Sequence, residues 1–285
     1  MARTVHIVVG RGGRVRHRDE QVEEVAQTAH RNGWSPEIVR LDDLPSIAGE
    51  IERLVLCGGD GLIHRCLPHV AGTGIDVAVV PVGSGNDFAR AFGLDHRNAV
   101  AVAAAAPDHA DVAAVDLIRT GDRYAASVVT AGYSGRVNAT ANDLRFPPGR
   151  AKYTVSALLE IGRLSATPTR LHVDDGDTVI DDELVLIAVG NTGWFGGGMH
   201  ICPDADPTDG LLDVLTLGRV GRFALARWLP RVFGGSHVGH PAVTTVRARS
   251  VSIEASEPLW ADGEPFAEAP VTLTAAPGAL RLLQP

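Results

Sequence analysis

Short, unbroken apolar runs separated by amphipathic stretches organise the first third of the chain. "TVHIVV" (Thr4 to Val9) is apolar without alternation, the pattern of a strand buried on both faces. "DEQVEEVAQTAHRNG" sets Val22, Val25, Ala26 and Ala29 on one helical face, with acids early and Gly33 at its close. That combination of start and stop signals predicts a helix. "PEIVRL", "RLVLC" and "IDVAVVPV" predict the second, third and fourth strands, with helical segments after the last two. Strands alternating with helices imply a parallel α/β sheet covered on both faces.

Near Asp116 the rhythm changes. "DLIRTGDRYAASVV" predicts a hairpin across Gly121 and Asp122, and "RAKYTVSALLEIGRL" predicts one helix. "TRLHV", "ELVLIAVGN", "LLDVLTL" and "TTVRARSVSIEA" are then β-type runs broken by Gly, Pro and Asp turns. This composition predicts an antiparallel, sandwich-like second domain. The expected division is an α/β domain of residues 1–118, rejoined by 276–285, and a β-rich domain of 119–275. No internal repeat and no long low-complexity linker interrupts it.

Composition narrows the function classes. The 45% hydrophobic content supplies a core, and a formal charge of −8 argues against a broad electrostatic nucleic-acid binder. Cys57, Cys66 and Cys202 are too few and scattered for a disulfide framework, so a reducing cytoplasm is the expected setting. The apolar run in "MARTVHIVVGRGG" is too short for a cleavable signal, and no stretch has the length of a membrane span. The alanine-rich Ala99 to Ala106 reads as a helix. Membrane contact, if any, is therefore expected at the surface.

Two glycine loops carry the chemistry. In a parallel sheet, ligands gather at the carboxyl ends of strands. "CGGDGL" stands there after the third strand, placing Gly58, Gly59, Asp60, Gly61 and Leu62 in the bend and the following helix start. Glycines let a backbone approach phosphate, and the helix N-terminus adds partial positive charge. A carboxylate in such a cradle makes sense with a divalent cation between it and the phosphates. Taken alone, GGDG reads better as a plain strand–helix turn with an Asp cap. After the fourth strand comes "VVPVGSGNDFARAFGL", with Gly83, Ser84 and either Asn86 or Asp87 placed to cap a helix. Two such loops ending adjacent strands point to a nucleotide, and neither the Walker pattern nor GxGxxG is present.

The pair, GGDG followed by P-x-G-S-x-NDFAR, resembles the diacylglycerol kinase catalytic domain family, which includes bacterial soluble lipid kinases and sphingosine kinases and is distantly similar to NAD kinases. The resemblance extends through "GNTGWFGGGMHICPDADPTDGLLDVLTL", "LWADGEPF" and the closing "VTLTAAPGALRLLQP". It implies an NAD-kinase-like parallel-sheet N-terminal domain that binds nucleotide, a second β-sandwich-like domain that takes the lipid, and ATP between them. The expected reaction is attack of a lipid hydroxyl on the γ-phosphate of ATP, with Mg²⁺, at a membrane surface. By the same resemblance, Gly59, Asp60 and Gly61 belong to the nucleotide loop, Ser84 contacts ATP, and Asp87 lies near the metal network. Glu264 matches the general base, with Asp262 the next candidate. Without that context, Asp262-Gly263-Glu264 would read as a hairpin turn with solvated acids. In "DADPTDGLLD", Asp209 with the backbone near Asp206 and Leu211 is similar to a Mg²⁺ loop of bacterial members; a plain acidic turn reads nearly as well.

The chain departs from the family in two places. Leu62 stands where a Thr usually follows GGDG, and an Asn-Pro loop after the first strand is replaced by "VVGRGGRVRHR", in which Arg11, Arg14 and Arg16 either meet phosphate or form a solvated loop. A non-catalytic nucleotide- or lipid-binding member with drifted loops is therefore the alternative to a kinase, and a soluble alcohol an alternative acceptor. His64/Cys66 and His200/Cys202 lack zinc spacing. "RFALARWLPRVFGG" reads either as a helix packed on the sandwich with arginines outward or as a segment for an anionic membrane surface. A sheet edge in the second domain could pair subunits as a homodimer.

Overall fold

A computed structural model describes residues 3–10, 15–44, 51–105, 111–144, 146, 150–174 and 178–285. Arg11 and Arg14 of the basic first loop lie outside the described residues, as does the side chain of Arg16. The chain divides into two compact units, Met1–Asp116 with Pro277–Pro285, and Leu117–Ala276.

The first unit runs β1 (Arg3–Val9), α1 (Val15–Arg31), β2 (Trp34–Val39), β3 (Arg53–Gly58), α2 (Asp60–Val70), β4 (Asp76–Pro81), α3 (Asp87–Ala91), α4 (His96–Ala103) and most of β5 (Asp111–Thr120). Its parallel sheet has the order β2-β1-β3-β4, and the last residues of the chain add a fifth parallel strand beside β4. One face buries Val5, Ile7, Val55, Cys57, Ala78 and Val80 against apolar residues of α1 and α4. The alternate residues Leu54, Leu56, Val77 and Val79 are equally buried on the other face, where α2 covers β3. Both faces are covered, which is why these strands read as continuous apolar runs. The α1 helix begins at Val15, ahead of the acidic start signal at Asp19, so those acids lie inside the helix rather than at its cap.

The second unit continues with β6 (Arg123–Ala125), β7 (Val128–Gly132), α5 (Tyr133–Asp143), α6 (Arg150–Gly162), β8 (Thr167–Val173), β9 (Thr178–Leu184), β10 (Leu186–Gly190), β11 (Trp194–Phe195), β12 (Met199–His200), β13 (Leu212–Leu217), α7 (Arg222–Trp228), β14 (Val243–Ala248), β15 (Ser250–Glu254), β16 (Leu259–Ala261), β17 (Glu264–Ala267) and β18 (Val271–Gln284). One antiparallel sheet has the order β14-β13-β10-β7-β16-β17; the other joins β9, β8, β15 and the first half of β18. Their facing side chains, among them Val129, Ile187, Val189, Leu171, Val251 and Leu273, form one core.

Two runs that read as single strands are each cut where the chain changes sheets. "ELVLIAVGN" breaks at Val185, whose N–H and C=O bond to Leu217 and Tyr133. "TTVRARSVSIEA" breaks at Arg249, where Asp174 Oδ1 accepts from the N–H groups of Arg249 and Ser250 at 2.8 and 2.9 Å. These corners let one apolar run line one core from two sheets. Conversely β18 passes Pro277 and Gly278 unbroken, pairing with β15 at one end and β4 at the other.

Candidate active site

In the parallel sheet, Gly58 ends β3 directly opposite Pro81 at the end of β4. The two glycine loops therefore leave the sheet side by side, and Val82 N–H donates to Gly58 O at 3.0 Å. A methyl group built on Gly59 would come within 2.9 Å of the Gly83 Cα, and one on Gly83 within 2.5 Å of the Gly59 Cα. Gly59 has φ −113°, so backbone conformation does not require glycine there. Contact between the loops does.

The second loop is braced on itself, and one side-chain bond ties it to the first. Asn86, in the left-handed region at φ 56°, accepts from Gly83 N–H at 3.0 Å and donates to Gly83 O at 2.9 Å. Of the two residues expected to cap the helix, Asn86 stands at the N-cap of α3, but its side chain makes no capping bond. Asp60 Oδ1, from the first loop, accepts the N–H of Phe88 at 3.0 Å. Asp87 is instead buried and paired with Arg90, whose guanidinium also donates to Gly85 O at 3.2 Å. Removing the Asp60 carboxylate in Asp60→Ala should cost about 1 kcal/mol, as for other lost caps. Denaturant titration measures it, and an unchanged midpoint would show that the bond contributes nothing.

Leu62 is turned inward. Its side chain is 4% exposed and packs beneath Gly58, where a Cβ would meet Leu62 Cδ2 at 2.5 Å, and its N–H donates to Gly59 O at 2.9 Å. Its part in the loop is packing. Ser84 is exposed in the second loop. Glycine backbone, the first turn of α2 and the Ser84 hydroxyl are thus what this edge offers a ligand. Such a set suits polyphosphate oxygens.

In the second unit, Asp262 and Gly263 make the two-residue turn of the β16–β17 hairpin, both with positive φ (53° and 86°), and Glu264 pairs with Ala261. The primed turn explains Asp-Gly, since both central residues need left-handed backbone. Glu264 is exposed and Asp262 half-buried. Two helices fix this turn. Asn142 Nδ2 at the end of α5 donates to Gly263 O at 3.3 Å, and the Tyr153 hydroxyl of α6 lies 3.7 Å from where a Gly263 Cβ would stand. Burial, and then the charge of Glu264, push the Tyr153 hydroxyl up. Neither Asn142 nor Tyr153 is signalled by the sequence, because each lies more than a hundred residues from the turn it touches.

The acidic loop closes on itself. Asp206 Oδ1 accepts from Thr208 N–H at 3.0 Å and Thr208 Oγ1 at 2.7 Å. Asp209 accepts from Leu211 N–H at 2.9 Å and is paired with Arg247, which also lies 3.4 Å from Asp213. Among the described residues no cluster of three or more His, Cys, Asp or Glu is arranged to hold a metal ion. A cation held by Asp209 and the backbone near Asp206 and Leu211 would have to displace the Arg247 guanidinium. Cys57 and Cys66 are buried with thiols pushed up to about 12, and Cys202 is raised further, so none is a nucleophile at neutral pH.

Comparison with known proteins matches residues 10–120 to the diacylglycerol kinase catalytic domain and residues 127–284 to the YegS C-terminal NAD kinase beta sandwich-like domain. A Mycobacterium tuberculosis protein named "Diacylglycerol kinase" is 37% identical over 246 residues, 84% of this chain and 79% of that protein. A Pseudomonas aeruginosa protein named "Probable lipid kinase YegS-like" is 30% identical over 274 residues, 93% of this chain and 87% of that protein. The crystal structure of a diacylglycerol kinase from Bacillus anthracis superposes with a TM-score of 0.77 at 20% identity, covering 100% of this chain and 97% of that one. At that identity the superposition speaks for the fold.

Proposed function

Since the chain belongs to the diacylglycerol kinase family of lipid kinases, we propose that it transfers the γ-phosphate of ATP to the hydroxyl of diacylglycerol or a similar lipid alcohol. The observation that carries this reading is the pair of glycine loops held together at the end of the parallel sheet, with the N-terminus of α2 beside them. In this reading the first-turn N–H groups of α2 and the Ser84 hydroxyl hold phosphate oxygens. Asp60 ties the first loop to the second through the Phe88 N–H, and Asn86 braces the second loop on itself. Glu264 accepts the proton of the attacking hydroxyl, and Asn142 and Tyr153 hold the turn that presents it. Mg²⁺ bound with the nucleotide would supply charge neutralisation at the phosphates.

The test is transfer of labelled γ-phosphate to a panel of dispersed lipid alcohols and soluble polyols, with Mg²⁺ or with excess EDTA. A phosphorylated lipid formed only with Mg²⁺ is expected. Labelling of a soluble polyol instead would move the acceptor class. Absence of both product and ATP binding would return the chain to the non-catalytic alternative.

A further inference from the structure

Five of the six large hydrophobic side chains left exposed among the described residues belong to the second unit: Phe146, Leu158, Leu159, Phe223 and Phe233. Three of them, Leu158 and Leu159 on α6 and Phe223 on α7, lie on the outward sides of helices that are buried on the other. In α6, Ser156 and Glu160 are buried and Ala157 and Ile161 pack inward, while Leu158 is 62% and Leu159 47% exposed. In α7, Leu225 is buried in the same small core as Ala157 and Ile161, while Phe223, two residues earlier, is 94% exposed. The inward faces of the two helices thus satisfy each other, and their outward faces present leucine and phenylalanine to solvent. Isolated exposed hydrophobics need no explanation; a group on two touching helices does.

Charge separates this region from the rest of the molecule. Among the residues of 144–166 and 218–242 whose side chains are described are six Lys and Arg and one acid, in a chain with 26 Lys and Arg against 34 Asp and Glu. The one acid, Glu160, is buried and bonded to Arg163 and Thr140. Arg222 and Arg227 are exposed beside Phe223 and make no ion pair among the described residues.

We propose that the face formed by α6 and α7 docks on an anionic lipid bilayer, with Phe223 and Leu158 entering the acyl boundary and Arg222 and Arg227 meeting headgroup phosphates. Cations around an apolar protrusion are what interfacial binding requires, and an acidic protein needs such a local patch to approach a negative surface. A second copy of the chain fits less well, because a two-fold pairing of this face would bring the arginines of both copies together. The inference rests on the reading of the acceptor as a lipid, which must be reached at a bilayer surface.

The experiment is co-sedimentation of the full chain with vesicles of phosphatidylglycerol and phosphatidylcholine, or of phosphatidylcholine alone. Transfer to short-chain diacylglycerol in detergent micelles is measured in parallel. Wild type is expected to bind the anionic vesicles, and less at higher salt. The double variant Phe223→Asp/Leu158→Asp and, independently, Arg222→Glu/Arg227→Glu should each lose binding about tenfold or more. Transfer in micelles should be retained by both. Absence of wild-type binding, or binding that neither variant changes, would overturn the proposal. So would a wild-type dimer that Phe223→Asp converts to monomer by sedimentation velocity. Binding with no micellar transfer in wild type would leave the docking face standing and sink the kinase reading.

Discussion

Glu264→Gln is expected to lower phosphoryl transfer by about 10²- to 10⁴-fold, the usual contribution of a positioned general base. The amide keeps the size of the side chain and removes only its capacity to take a proton. Glu264 is exposed at the start of β17, and its backbone pairing with Ala261 does not depend on the carboxylate. Thermal stability and ATP affinity should therefore stay within error of wild type. The split is measured by isothermal titration with ATP and by single-turnover transfer. Full activity in Glu264→Gln would remove this residue from the chemistry, and Asp262→Asn, at the half-buried first turn position, would be the next variant. Loss of ATP binding together with turnover would mean that Glu264 acts on the nucleotide rather than on the hydroxyl.

Gly83→Ala should be the most damaging single methyl group in the nucleotide loops. The added Cβ would stand 2.5 Å from the Gly59 Cα, 2.8 Å from Asn86 Oδ1 and 3.1 Å from the Gly59 nitrogen. Two of those neighbours are backbone at a strand end, so they cannot swing aside as a side-chain tip can. The loops must separate, which strains the Asp60–Phe88 bond, and the methyl also crowds Asn86 Oδ1 where it accepts from Gly83 N–H. Overpacking of this kind costs about 1–3 kcal/mol in stability. ATP affinity should fall by about tenfold or more, because a shift near 1 Å misplaces every phosphate donor at once. Gly61→Ala is the control: nothing lies within 4 Å of its Cβ position, and it sits inside α2. If Gly83→Ala and Gly61→Ala bind ATP equally, loop contact is not what shapes the site.

The α/β class and the sandwich-like second half were legible in the sequence because burial on both faces of a sheet writes itself as continuous apolar runs. The glycine loops were legible as glycine-rich segments following strands, although what excludes a side chain at Gly59 and Gly83 is each loop's approach to the other. What each loop residue does was not legible. Asp60 reads as a ligand for a cation, and only the approach of the fourth strand's loop turns its carboxylate onto the Phe88 N–H. Asp209 reads as a carboxylate for Mg²⁺, and only the pairing of β13 with β14 brings Arg247 to it. Asn142 and Tyr153 carry no local signal, because their contact with the Asp262–Gly263 turn spans more than a hundred residues. The same holds for the breaks at Val185 and Arg249, where apolar sequence continues while the chain leaves one sheet for the other.

Local sequence determined which segments are apolar strands and amphipathic helices and where glycine-rich loops follow them. A side chain's partner across the fold depends on strand order and register, which no single segment contains. Those were decided by the tertiary structure alone, and with them the partners of Asp60 and Asp209.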